Sequence, residues 1–324
     1  MAIVRLTQID GALPNLAIMR LADWHISRGD QVHVTRSILP TLFEPQYDKV
    51  YASCIFDFSR DRLEMFRDEW PTAIIGGTGA GNFTSNVEDV IGEHSGVDYS
   101  GYPDFDASIG FTQRGCRLSC KFCVVPKKEG KNRSVRTIAE IWRGDGHPKK
   151  LHLLDNDFFG NPDWRERARE IRDGKFKVCL SQGINTRLID QESAEALASI
   201  EYRDTKFSKR TLYTAWDNIG DERRFFDGVA VLERAGIQPK NLMTFMLIGY
   251  DLAETWERIW YRFKRMVDMG IEPYPMVFNR TRKDLLCFQR WVITGLYRIV
   301  TWPDYDRETK TDQSVEAWKK VYGT

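Results

Sequence analysis

The chain has 324 residues, 42% apolar and 29% charged, enough to bury one large core or two medium ones. Its 47 basic and 46 acidic residues leave a formal charge of +1, which excludes nucleic-acid binding by bulk charge and leaves only a local basic patch as an anion-holding candidate. No run of about 18 uncharged apolar residues occurs, so no transmembrane helix is expected.

The opening "MAIVRLTQIDGALPN" lacks the basic-then-apolar order of a secretory signal. A cytoplasmic location is expected, where thiols stay reduced. "AIVRLTQI" alternates like a strand. "LPNLAIMRLADWHISRG" reads as a helix, with Leu16, Met19, Leu21 and Trp24 near helical spacing and Gly29 placed to stop it. "QVHVTRS" and "KVYASCIF" read as strands, "SRDRLEMFRDEW" as a charged amphipathic helix opened by Ser59, and "TAIIGGTGAG" as a buried strand entering a glycine turn. This order predicts a small parallel α/β domain over residues 1–95. Residues 96–109, rich in Gly, Asp, Ser and Tyr and without period, read as a linker.

From there strand and helix signals alternate again. The strand segments are "ASIGFT", "KLHLLDND", "KVCLSQGI", "RTLYTAWD", "LMTFMLIGY" and "EPYPMVF". The helices between them include "PDWRERAREIRDG", "DQESAEALASI", "DERRFFDGVAVLERAG" and "TWERIWYRFKRMVDMG". Six β/α units are too few to close an eight-stranded barrel, and an open, curved parallel sheet fits them over residues 110–280. Residues 281–324 read as a helical tail, with "LLCFQRWVITGLYRIV" as one amphipathic helix.

Three of the six cysteines fall together as Cys116-x-x-x-Cys120-x-x-Cys123, directly after the first of these strands. Clustered cysteines in a reducing compartment point to metal. A structural zinc site takes four ligands and an iron–sulfur cluster is normally held by four thiolates, so three leave one metal position open for chemistry. Cys54 and Cys179 sit inside strands and read as small buried hydrophobes; Cys287 is likewise solitary. A zinc knuckle completed by a distant ligand is the bland alternative.

With Phe122 just before the last cysteine, Cys116-x-x-x-Cys120-x-Phe122-Cys123 resembles the signature of the radical S-adenosylmethionine superfamily, over roughly residues 100–280. The resemblance implies a (β/α)6 partial barrel of TIM type, a [4Fe–4S] cluster on Cys116, Cys120 and Cys123, and S-adenosylmethionine bound at its open iron. It further implies reductive cleavage to a 5′-deoxyadenosyl radical and an electron donor such as flavodoxin or ferredoxin. By the same resemblance, candidate contacts to S-adenosylmethionine are Phe122 in the cysteine motif and Asp155, Asn156, Arg187, Asp217, Ile248 and Gly249 at strand ends; Asp157 stands beside them in "LLDND". An α/β layer ahead of such a core resembles the cobalamin-binding subgroup. The subgroup's Asp-x-His-x-x-Gly motif is absent after the first strand, and His25 in "DWHISRG" falls inside the expected helix, so cobalamin is not expected. The substrate is not named by any motif. Lys127, Lys128, Lys131, Arg133 and Arg136 after the cysteines suit either a solvated, mobile lid or the recognition of an anionic substrate, a nucleotide or nucleic acid among them. Cobalamin-dependent methyl transfer and a non-catalytic, metal-stabilised nucleic-acid-binding role remain the alternatives.

Overall fold

A computed structural model of the chain describes residues 1–81, 86–306 and 308–323. It is a mixed α/β structure with parallel sheets, in two compact units. The first unit comprises residues 1–109 and 124–128, the second residues 110–123 and 129–324.

The first unit is built on β1 (Ile3–Gln8), α1 (Leu16–Ile26), β2 (Gln31–Thr35), β3 (Lys49–Ser53), α2 (Arg60–Glu69), β4 (Ile74–Gly76) and the short α3 (Glu88–Ile91). The strands are parallel in the order β2-β1-β3-β4. Central β1 is buried over all but its first residue, as expected of a strand covered on both faces. Helix α1 starts where Asn15 accepts hydrogen bonds from the N–H groups of Ala17 and Ile18. It ends at Ile26, short of Gly29, because Ser27 and the residues after it fold into a turn against Asp23, His25 and Ile26. His25 lies within α1, fully buried, with Nδ1 2.7 Å from Asp30 and Nε2 3.3 Å from the Tyr51 hydroxyl. Gly77 follows β4 at φ +98°, and a Cβ there would stand 2.1 Å from the Cys54 carbonyl oxygen, so the turn admits only glycine. The segment 96–107 has no strand or helix, yet it is anchored in this unit. Tyr102 is buried and donates its hydroxyl to Gln8 Oε1 at 2.8 Å.

In chain order there follow β5 (Ser108–Gly110), β6 (Gln113–Arg114), α4 (Val125–Lys128), β7 (Arg133–Ser134), α5 (Ile138–Ile141), β8 (Lys150–Leu153), α6 (Trp164–Asp173), β9 (Lys177–Leu180), α7 (Gln191–Ser199), β10 (Glu201–Tyr202), β11 (Leu212–Ala215), α8 (Glu222–Arg234), β12 (Leu242–Ile248), α9 (Trp256–Asp268), β13 (Glu272–Val277), α10 (Lys283–Ile293) and α11 (Asp312–Tyr322). Strands β8, β9 and β10 are parallel, as are β11, β12 and β13. The two sets meet where Ile184 bridges to Thr214 in parallel and donates its N–H to the Tyr213 carbonyl at 2.8 Å. At the other side the Gly110 carbonyl accepts from Leu154 N at 2.9 Å. Each of the six strand segments read from the sequence carries a strand.

Alternation decides the faces. In β12, Leu242, Met246 and Ile248 are buried and join the core shared with α9 and α10, while Met243, Phe245 and Leu247 are half-buried on the other face. Tyr274 and Met276 of β13 continue that second face: the Phe245 ring lies 5.8 Å from both Tyr213 and Tyr274.

The tail is packed down by tryptophans. Trp260 of α9, Phe288 and Trp291 of α10, and Trp302 form one ring cluster with centroids 5.0–6.2 Å apart. The indole N–H groups of Trp260 and Trp302 both end on Ser314 of α11, at 2.9 and 3.0 Å, so these deep rings leave no donor stranded there. The helix expected to run on to residue 300 stops at Ile293, because Gly295 takes the left-handed conformation that closes a helix.

Candidate metal and cofactor site

The cysteines lie on a loop closed at its base by the antiparallel pair β6 and β7, with Gln113 opposite Ser134 and Arg114 opposite Arg133. Gly115 opens the loop at φ +86°, and a Cβ there would stand 2.3 Å from the Lys131 carbonyl oxygen. Cys116, Cys120 and Cys123 form no disulfide and are each partly exposed, whereas Cys54, Cys179 and Cys287 are buried. Cys116 Sγ accepts from Leu118 N at 3.4 Å. Burial pushes the Cys116 thiol up, and the charges of Asp157, Cys123 and Cys120 add to that. Among the described residues no three His, Cys, Asp or Glu side chains are already gathered as a closed metal set. The loop nevertheless carries three soft donors open to solvent, and a bound metal would itself deprotonate them. On donor chemistry the residues fit a thiolate-held cluster.

Around this loop stand residues from the carboxyl ends of the parallel strands, the usual place for a site in such sheets. After β8, Asp155 accepts from Thr112 N at 2.7 Å, from Gln113 N at 3.2 Å and from the Thr112 hydroxyl. Burial pushes its carboxyl up to about 7, against the pull of those donors. Asn156 donates to Glu129 Oε2 at 3.0 Å, and Asp157 takes both arms of the Arg117 guanidinium at 2.8 and 2.9 Å. After β9, Arg187 donates to Asp221 Oδ2 at 2.6 Å. Burial disfavours its charge, but Asp221 and then the Cys120 sulfur outweigh that and raise it, so Arg187 faces the cysteine loop.

The chain matches no protein-family model and no curated protein.

After β11, Asp217 accepts from Leu247 N at 3.1 Å, and burial raises its carboxyl although Arg262 and Arg187 lie near. Gly249 follows β12 at φ +75° and donates its N–H to Glu254 at 3.3 Å. Beside it a cleft of about 200 Å³ is lined by Glu254, Trp256, Asn279, Arg282 and Leu285. Phe122 meets the next residue, Tyr250, edge-on at 5.5 Å, and Tyr250 meets Phe278 after β13 at 4.9 Å. Ile248 is fully buried with its side chain in the apolar core, so only its backbone is near the site.

Of the residues picked out in the sequence, Phe122, Asp155, Asn156 and Arg187 are thus brought to the cysteine loop. So is Asp157, named with them in "LLDND"; Gln113, Glu129 and Asn132, which no motif marked, are brought there too. Glu129 carries no motif and lies within the basic run 127–136. That run is tied down at several points: Lys128 Nζ reaches Thr78 Oγ1 at 3.1 Å, and Arg133 donates to the Glu129 carbonyl at 2.6 Å. Lys127 and Lys131 are exposed.

His152 of β8 alternates with Leu151 and Leu153, lies in register with Cys179 of β9, and holds the Ser181 hydroxyl at 2.7 Å from Nε2. It is fully buried, and burial depresses its imidazole to about 4. The unfolded chain keeps an ordinary value near 6.5 and therefore binds more protons between the two, so stability rises with pH across that window. His152→Gln should remove up to about 3 kcal/mol of this pH dependence. Urea unfolding at about pH 4.5 and about pH 7.5 reads it, and an unchanged slope would assign the dependence elsewhere.

Proposed function

We infer that the chain is a radical S-adenosylmethionine enzyme whose substrate is not identified. The observation that carries the reading is Cys116-x-x-x-Cys120-x-x-Cys123 on a loop after a strand, with residues from the ends of β8, β9 and β12 turned onto it. In this reading β5, β8, β9, β11, β12 and β13 form a (β/α)6 partial barrel, and the first unit is a cobalamin-binding-type domain without the cobalt ligand. Both ring nitrogens of His25 being engaged by Asp30 and Tyr51 supports the latter.

Cys116, Cys120 and Cys123 would hold a [4Fe–4S] cluster, with S-adenosylmethionine bound beside it. When bound, this pair would supply one-electron reductive cleavage of S-adenosylmethionine and, from it, radical chemistry on the substrate. The chain's own part is to bind, orient and exclude water. Arg187, already charged and beside Cys120, offers a cation for a carboxylate. Phe122, Tyr250 and Phe278 offer ring faces and edges for an adenine. Asp217 is the acceptor near the end of β11 for a ribose hydroxyl. The half-buried face of Met243, Phe245, Leu247 and Tyr274 would shield a radical from water.

The test is anaerobic reconstitution with iron and sulfide, then incubation with S-adenosylmethionine and a strong reductant. Slow formation of 5′-deoxyadenosine without added substrate is expected. S-Adenosylhomocysteine as the main product would shift the reading to methyl transfer, and neither product from a cluster-loaded chain would sink it.

A further inference from the structure

Cys116 is flanked on both sides by peptide groups that carboxylates hold. Gly115 donates its N–H to Glu129 Oε2 at 3.0 Å, and Arg117 donates its N–H to Asp157 Oδ2 at 3.1 Å. The same two carboxylates take the side chains next door: Arg114 reaches Glu129 at 3.1 Å, and Arg117 forks onto Asp157. The Asp157 side chain is only 3% exposed. A carboxylate that deep is costly unless donors fill its lone pairs, and here nearly all of them come from the cysteine loop and its return arm.

Behind Asp157 the packing leaves no slack. Asn132 reaches it at 3.4 Å and donates to the Gly160 carbonyl at 3.0 Å. A Cβ on Gly160 would stand 2.2 Å from both Asn132 Nδ2 and Asp157 Oδ2. Gln113, fully buried, donates to the carbonyls of Arg114 and Gly115 at 2.9 and 2.6 Å and accepts from Asp157 N at 3.3 Å. Asn156 closes the ring of contacts on Glu129. All three residues of the turn after β8 thus spend their side chains on the segment 112–129.

We propose that Asp157 and Glu129 are positioning residues that fix Cys116, and that the turn Asp155–Asn156–Asp157 holds the metal-binding loop in shape. The proposal deepens the radical-enzyme reading and rests on it only for the role of the loop as a cluster site.

The experiment uses the metal-free full chain and iodoacetamide, with alkylation of each cysteine followed by mass spectrometry. Asp157→Ala and Glu129→Ala should each speed alkylation of Cys116 by about tenfold, the scale of losing a charge-assisted hydrogen bond. Cys120, which Arg187 faces, should change little. Asp157→Glu, which keeps the charge, should recover part of the protection. Buried Cys54 and Cys179 report folding, because they stay unreactive in a folded variant. Unchanged Cys116 rates in folded Asp157→Ala and Glu129→Ala chains would overturn the proposal, as would equal acceleration of Cys116 and Cys120. Reconstitution then separates the two ideas. If the unaltered chain takes up no iron, the cofactor reading falls while the alkylation result still decides the clamp. If it takes up iron and the Asp157→Ala chain takes up as much with the same absorption and paramagnetic spectra, the clamp falls and the cofactor reading stands.

Discussion

Cys116→Ala, Cys120→Ala and Cys123→Ala are each expected to abolish iron–sulfur binding, and Cys54→Ala, Cys179→Ala and Cys287→Ala to retain it. The two groups differ in environment. The first three thiols are partly exposed on one loop. The others are buried in the packed interior, and burial pushes the thiols of Cys54 and Cys179 up to about 12, where a thiolate is inaccessible near neutral pH. A three-thiolate site has no spare ligand, so one loss should be total in effect. Iron and sulfide analysis after anaerobic reconstitution, with the visible absorption of the cluster, measures it. If Cys54→Ala loses iron as completely as Cys116→Ala, the three-ligand assignment is wrong.

Arg262→Met should destabilise the second unit by about 3–5 kcal/mol, the usual cost of breaking a buried charge pair from one side. Arg262 is fully buried in α9. It donates to the carbonyls of Trp216 at 2.9 Å and Leu247 at 2.8 Å and pairs with Glu254. Burial lowers its pKa, and Glu254 and Asp217 oppose that. The guanidinium therefore ties the carboxyl ends of β11 and β12 to the start of α9. Methionine fills much of the volume but leaves two carbonyls and Glu254 without their donor. For a unit of this size the midpoint of thermal unfolding should fall by roughly 10 °C. Arg262→Met with Glu254→Gln should lose less than the single change, since the stranded charge is then gone. A single variant that melts with the unaltered chain would show the network to be dispensable.

Glu254 links this network to the site, because it also holds Gly249 N beside the cleft at the end of β12. Disturbing Arg262 should therefore loosen the turn that presents Tyr250 to Phe122.

Much of this molecule is legible in local pattern. Alternation in "LMTFMLI" marks β12 and even its buried face, because a strand has a period of two and the core side must be apolar. The six strand segments after residue 106 and the helices between them follow from the same short-range chemistry, whereas the stop of α10 at Ile293 escapes it, because the apolar pattern runs on past Gly295. The spacing of Cys116, Cys120 and Cys123 is sequence information outright, and the proposal of a metal starts from it whatever the fold. No helix among the described residues is long and apolar enough to cross a membrane, as composition suggests.

Partners far apart in the chain are another matter. The polar run "LLDND" at a strand end can face a ligand, cap a helix or brace a neighbouring loop, and its letters do not choose among these. Tertiary structure shows the third, by placing Asp155, Asn156 and Asp157 against residues 112–129, some forty positions away for Asp155 and Asp157, which their letters do not reveal. Glu129 became a support for Cys116 only because β6 and β7 fold the loop back on itself. Ile248, at a position suited to a ligand, turned its side chain into the core because residues two apart share a face and Met246 is already there. The sequence by itself determined the long strand segments, most of the helices between them and the three thiols; long-range burial decided which charged side chains serve the loop, since a buried carboxylate is stable only where the fold delivers donors to it.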